Sequence, residues 1–225
     1  MLIIFDLDDT LVDTSLSITP FLQAKALKKL VAAGLLLPDF DEALKMLRSM
    51  DRGSISGKMA LKEFLELQDG LEYFEMALHE IYHAPQFDEP VQPVDYAVDL
   101  LKELKRDHTL GIVTLGAPWI QREKMRLSGL DFSSFSFIEC CSQEGGKKLI
   151  YQNLIKTLGV DPSDMVVCGD RIFADLSPAK ELGLKTIHFR HGRGLGSTGL
   201  KSDVDYTILR LEEIPKLIRQ IENKL

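Results

Sequence analysis

Asp6 and Asp8 stand two positions apart directly after the apolar run Leu2-Ile3-Ile4-Phe5, a spacing suited to holding a metal or moving protons. Two carboxylates 4 Å apart repel by roughly 4 kcal/mol at an effective dielectric of about 20. A site that keeps both ionised therefore calls for a divalent cation, and hard oxygen ligands favour magnesium. A second acidic group follows a later apolar run, in Val166-Val167-Cys168-Gly169-Asp170-Arg171-Ile172-Phe173-Ala174-Asp175. Its glycine lets the chain turn so that Asp170 can face Asp6, with Asp175 at a helix start one turn further on. Thr114 closes Gly111-Ile112-Val113-Thr114, which sets a hydroxyl donor at another strand end. Each group also has a plainer use: strand-end acids cap helices or sit in solvated turns, and a threonine can simply end a strand.

Groups so far apart in sequence meet only if their strands end together. The run 2–5 reads as a buried strand that sends its acids to the C-terminal edge of a sheet, where open α/β sheets place ligands. From about 96 onward helices and strands alternate, with helices at 96–105, 119–128, 148–158, 176–182 and 214–225. Strands fall at 109–114, 135–139, 165–168, 185–189 and 206–209. That alternation predicts an α/β fold, a doubly wound parallel sheet with helices on both faces. The stretch from 14 to 83 instead shows only helical spacing, with Ile18, Phe21, Leu22, Ala26, Leu30 and Val31 on one repeat and further helices at 41–50, 57–67 and 70–83. Pro85, Pro90 and Pro93 mark the return. The expected organisation is a core domain of residues 1–13 plus 91–225 and a helical insertion, 14–90. An insertion at a strand's C-terminal edge is expected over the site.

Length and composition are those of an ordinary globular protein: 225 residues, 45% apolar and 27% charged. A formal charge of -7 argues against bulk affinity for nucleic acid or anionic membrane, because either needs a basic face. The first apolar run is broken by Asp6, Asp8 and Asp9 and lacks a basic leader, unlike a signal peptide, and no stretch is long enough to span a bilayer. Cys140, Cys141 and Cys168 give no disulfide framework, and a reducing cytoplasm is the simplest setting. The oligomeric state is not readable.

Asp6-x-Asp8-x-Thr10 resembles the first motif of the haloacid dehalogenase-like superfamily of phosphohydrolases. Thr114 resembles the second motif, although Leu115 replaces the asparagine often found after it. The segment 166–175 resembles the fourth, and its continuation Ala179-Lys180-Glu181-Leu182-Gly183 is also typical of the family. The third motif supplies a lysine between these strands, and Gly145-Gly146-Lys147-Lys148 offers two; Lys147, directly after the glycines, is preferred over Lys148. The resemblance spans the chain outside the helical insertion, which it makes an all-helical cap on a Rossmann-like core. It implies that Asp6 is the nucleophile, forming an aspartyl-phosphate, and that Asp8 is the general acid and then the base. Magnesium would be held by Asp6, the Asp8 carbonyl and Asp170, with Asp175 tied in through water or the lysine. Thr114 and Lys147 would bind the phosphoryl group, and Thr10 would orient Asp8.

Three other patterns carry weaker readings. Gly194-Leu195-Gly196-Ser197-Thr198-Gly199 has the glycine spacing of a dinucleotide loop, but no helix pattern or ribose-binding acid follows it. His188, Arg190, His191 and Arg193 read as a solvated basic loop, and His79 and His83 as helix-surface residues without a ligand motif. A phosphomutase using the same groups and a catalytically silent binding module remain open. The expected activity is magnesium-dependent hydrolysis of a small phosphorylated metabolite, whose identity the sequence does not name.

Overall fold

The computed structural model describes residues 1–54, 56–142 and 146–223. It divides into two compact units, residues 1–14 with 91–225, and residues 15–90. The first holds a six-stranded sheet of β1 (Leu2–Phe5), β2 (Thr109–Leu115), β3 (Phe137–Cys141), β4 (Met165–Gly169), β5 (Lys185–Phe189) and β6 (Tyr206–Ile208). The spatial order is β3-β2-β1-β4-β5-β6, and every pairing is parallel. From β1 the chain builds outward to β2 and β3, then crosses back to lay β4, β5 and β6 on the other side. The reversal falls between β1 and β4, and the C-terminal ends of those strands frame the crevice where such sheets bind ligands.

The second unit is helical: α1 (Thr14–Ser17) leads into it, followed by α2 (Thr19–Ala32), α3 (Phe40–Gly53), α4 (Gly57–Leu67) and α5 (Phe74–Leu78). Local capping sets several starts. The Asp39 carboxylate accepts from the Glu42 amide at 2.8 Å to open α3, and the Ser56 hydroxyl from Met59 at 3.3 Å to open α4. Leu22, Ala26, Leu27, Leu30, Leu44, Leu47, Phe64 and Leu65 form its buried stripes. The helix expected over 70–83 is three pieces, a 3₁₀ turn Leu71–Tyr73, α5, and a π-helical turn His79–His83 with both histidines on the surface.

The remaining helices, α6 (Ala97–Leu104), α7 (Pro118–Leu127), α8 (Gly146–Leu158), α9 (Ser177–Lys180) and α10 (Ile214–Glu222), belong to the α/β unit. All four residues of β1 are buried, as a central parallel strand requires. Leu2 and Ile4 share a core with Val113, Met165 and Val167 of the neighbouring strands and with Tyr151, Leu154 and Ala179 from α8 and α9. By the strand alternation Ile3 and Phe5 face the other side, where α6 packs on β2 and against α10. β3 starts two residues later than the sequence suggests because Phe132–Ser134 forms a 3₁₀ turn capped by Asp131. Residues 224 and 225 of the expected last helix, and Gly145 before α8, lie outside the described residues. Val12 bridges Pro93 antiparallel and the Asp13 amide donates to the Gln92 carbonyl at 2.9 Å, so outgoing and returning chains run side by side. Among the described residues no helix is long and apolar enough to cross a membrane.

Candidate active site

Asp6 follows β1 directly, and its amide donates to the Cys168 carbonyl at 2.9 Å, extending the β1–β4 ladder by one rung. This places its carboxylate in the crevice next to Asp170, the residue after β4. Carboxylate oxygens of Asp6, Asp170 and Asp175 all lie within 4.8 Å of one another, and all three residues are buried. Asp175 comes from a π-helical turn, Ile172–Leu176, and not from a regular helix start. Its Oδ2 accepts from the Arg171 amide at 2.9 Å. Gly169 makes the approach possible, because a Cβ there would stand 2.6 Å from Asp175 Oδ2 and 2.7 Å from its Cβ.

Lys147 enters this cluster from the first turn of α8. Its Nζ lies 2.5 Å from Asp6 Oδ1 and 2.6 Å from Asp175 Oδ1, with the ammonium fully inside the protein. Lys147, Tyr151 and Leu154 share the inward stripe of α8, which turns Lys148 outward to an exposed pair with Glu181 at 2.5 Å. Three carboxylates against one ammonium leave two negative charges uncompensated when all are ionised. Burial, with the mutual repulsion of Asp6, Asp170 and Asp175, raises the Asp6 and Asp170 carboxyls above the ordinary range, although Lys147 opposes it at Asp6. Lys147 itself is pushed well above its usual value, because Asp175 and Asp6 outweigh the opposing effect of burial. An all-oxygen donor set with this surplus of negative charge fits a hard divalent cation.

Asp8 belongs to a different group. Its Oδ1 accepts from Lys124 Nζ at 2.7 Å and from Thr14 Oγ1 at 2.5 Å, and its Oδ2 from Gln121 Nε2 at 2.8 Å. The same Gln121 nitrogen reaches Thr114 Oγ1 at 2.7 Å, joining Asp8 to the hydroxyl at the end of β2. Burial alone would raise the Asp8 carboxyl, but Lys124, Gln121 and Thr14 together hold it below the ordinary range. Thr10 is buried and its hydroxyl has no partner among the described residues, so the orienting contact expected from Thr10 is made by Thr14.

The structure thus brings Asp6, Lys147, Asp170 and Asp175 into one cluster, with Asp8 and Thr114 joined in another. Gln121 and Lys124 were not singled out by sequence reasoning. Their signal was their place in α7, directly after Thr114, on the same inward stripe as Ile120, Met125 and Ser128. His188 does not belong to a solvated basic loop: it is buried in β5, with Nε2 3.1 Å from the Asp170 carbonyl. His191 is stacked on Phe189. The glycine-rich segment 194–199 leads to a 3₁₀ turn, Lys201–Asp203, and β6 rather than to a helix, and Ser197 Oγ accepts from the Ile172 amide at 2.8 Å.

A sequence model described as haloacid dehalogenase-like hydrolase matches residues 1–183. The chain belongs to this family. It is similar to the glyceraldehyde 3-phosphate phosphatase of Pyrococcus furiosus, 31% identical over 99% of this chain and 93% of that protein. The enzyme of the same name from Methanocaldococcus jannaschii is 29% identical over 98% of this chain and 97% of its own. Among solved structures, a HAD phosphatase from Thermococcus onnurineus matches with a TM-score of 0.65 and 25% identity over 96% of this chain and 97% of that one.

Proposed function

We propose that this chain passes the phosphoryl group of a small phosphorylated metabolite to Asp6 and then to water, with magnesium as its cofactor. The enzyme is a phosphohydrolase of its family. The observation that carries the mechanism is the buried Lys147 ammonium between Asp6 and Asp175, beside Asp170. Asp6, Asp170 and Asp175, with the Asp8 carbonyl, would hold magnesium, which supplies positive charge where negative charge gathers on the phosphoryl oxygens.

Asp6 attacks phosphorus, forming an Oδ–P bond as the bond to the leaving oxygen breaks, and that oxygen takes a proton from Asp8. Water then attacks the aspartyl-phosphate, Asp8 takes the water proton, and inorganic phosphate leaves as the bond to Asp6 breaks. Lys124 favours the ionised Asp8, which suits the second step; for the first, Asp8 has to be protonated before the leaving oxygen departs. Thr114 donates its hydroxyl to the phosphoryl group, and Lys147 offsets its charge.

Residues 15–90 are assigned the role of the family's cap, selecting the leaving group; their insertion between Asp8 and the rest of the α/β unit supports this. The three free thiols suit a reducing cytoplasm, and the net charge of -7 suits a small-molecule substrate and not nucleic acid. Glyceraldehyde 3-phosphate, named for the full-length relatives, is the first substrate to test. Phosphate release from it and from a panel of sugar and alkyl phosphates, with magnesium and with excess chelator, tests the proposal. Magnesium-dependent release from at least one compound is expected, and no release from any compound would overturn it.

A further inference from the structure

We infer that Gln121 is a positioning residue, whose carboxamide ties the Asp8 carboxylate to the Thr114 hydroxyl and sets the direction in which the Thr114 proton points. The inference rests on the roles proposed above for Asp8 and Thr114. Gln121 Nε2 lies 2.8 Å from Asp8 Oδ2, 2.7 Å from Thr114 Oγ1 and 3.0 Å from the Leu115 carbonyl. The carboxylate and the carbonyl only accept, so the group facing them is the amide nitrogen; an amide oxygen there would face two acceptors unpaired.

An amide nitrogen donates two protons, shared here among three acceptors with Thr114 Oγ1 the nearest, and accepts none, so the Thr114 proton cannot go to Gln121 and is left to point elsewhere. A phosphoryl oxygen beside Thr114 then has no competing acceptor in Gln121 for that proton. The same nitrogen draws Asp8 Oδ2 into line, while Lys124 and Thr14 occupy Oδ1. One side chain therefore sets the relative position of the proton-transfer group and the phosphoryl-binding group.

The surroundings hold Gln121 in this pose. It is buried, at 1% exposure, in the first turns of α7. Gly116, at φ +141°, lies beneath it, where a Cβ would stand 3.1 Å from Gln121 Cδ.

The test is a double-mutant cycle on turnover of an aryl phosphate with magnesium, using Gln121→Met, Thr114→Val and the double variant, each checked for cooperative melting. If Gln121 acts through Thr114 and Asp8, Gln121→Met lowers kcat on the order of 100-fold, the cost of misplacing reacting groups by about 1 Å. In the Thr114→Val background the same change costs far less, because one of its two targets is gone. Should the Met variant fail to fold, Gln121→Asn, which keeps the amide but withdraws it by one methylene, is measured in the same cycle with the same expectation. Near-normal kcat in the single variant, or an undiminished loss in the Thr114→Val background, would overturn the inference. Lack of turnover by the unaltered enzyme on any phosphate would instead remove the phosphohydrolase reading, and the inference with it.

Discussion

The ammonium of Lys147 lies 2.5 Å from Oδ1 of Asp6, both groups buried at the C-terminal end of β1. An ion pair withdrawn from water is costly unless further partners satisfy it, and here Asp175 takes a second hydrogen bond from the same nitrogen. The proposed nucleophile is thus held next to a fixed positive charge. Lys147→Ala is expected to lower kcat on the order of 10² to 10³-fold. Lys148→Ala, which loses only an exposed pair with Glu181, should stay within about twofold. Steady-state kinetics of the two variants checks this, and equal mild losses would remove both lysines from the site.

Magnesium should stabilise the folded protein as well as support turnover. Ligand at about 100 times its Kd adds about 2.7 kcal/mol, read as a rise in Tm over the metal-free protein. Asp170→Asn is expected to abolish both the rise in Tm and turnover, since Asp170 belongs to the carboxylate cluster but forms no ion pair with Lys147. A full magnesium-induced rise in this variant would place the cation elsewhere.

Gly169→Ala tests the close approach of Asp175 to the end of β4. The added methyl would meet Asp175 Oδ2 and Cβ at under 3 Å, so Asp175 has to move. Destabilisation of about 1 to 3 kcal/mol is expected, with a loss of kcat as Asp175 leaves Lys147. Denaturant midpoints and turnover measure the two effects, and an unchanged variant would show that the site is looser than described.

His191 should make stability depend on pH. Its ring stacks on Phe189, with centroids 5.2 Å apart, and Nε2 lies 3.4 Å from Asp13 Oδ1. Asp13 raises the His191 pKa above 6.5 despite burial. A raised pKa in the folded state gives stabilisation that is complete below the unfolded value and fades as pH rises through the folded one. His191→Gln should therefore destabilise more near pH 5.5 than near pH 8.5, relative to the unaltered protein, about one unit below the unfolded value and well above it. Urea midpoints across that range provide the check, and a pH-independent difference would contradict it.

The centre of the parallel sheet was legible because β1, β2 and β4 are short apolar runs that end at glycine or acid, at Asp6, Gly116 and Gly169-Asp170, and that signal depends little on distant contacts. Asp6, Asp170 and Asp175 were legible for the same reason, since strand ends fix where their side chains go. Choosing between Lys147 and Lys148 was harder: adjacent residues on a helix differ only in which one shares the stripe of Tyr151 and Leu154, and the preceding glycines do not determine that. Gln121 and Lys124 were missed because a glutamine and a lysine within an ordinary amphipathic helix carry no mark of the carboxylate they meet more than a hundred residues away. Thr14 was overlooked in favour of Thr10 because the turn after Asp8, with Asp9 at φ 58°, decides which hydroxyl comes round to the carboxylate.

The central claim is that Asp6 takes the phosphoryl group and Asp8 manages the protons, and Asp8→Asn given an aryl phosphate separates the two. The phenol leaving oxygen is a weak base and needs little help from an acid, whereas water attacking the aspartyl-phosphate still needs its base. Rapid-quench measurement should find one equivalent of phenol released in a burst, phosphate release stalled, and the trapped phosphoryl group on Asp6 by peptide mapping. Equal, slow release of phenol and phosphate with no burst and no label on Asp6 would contradict the account.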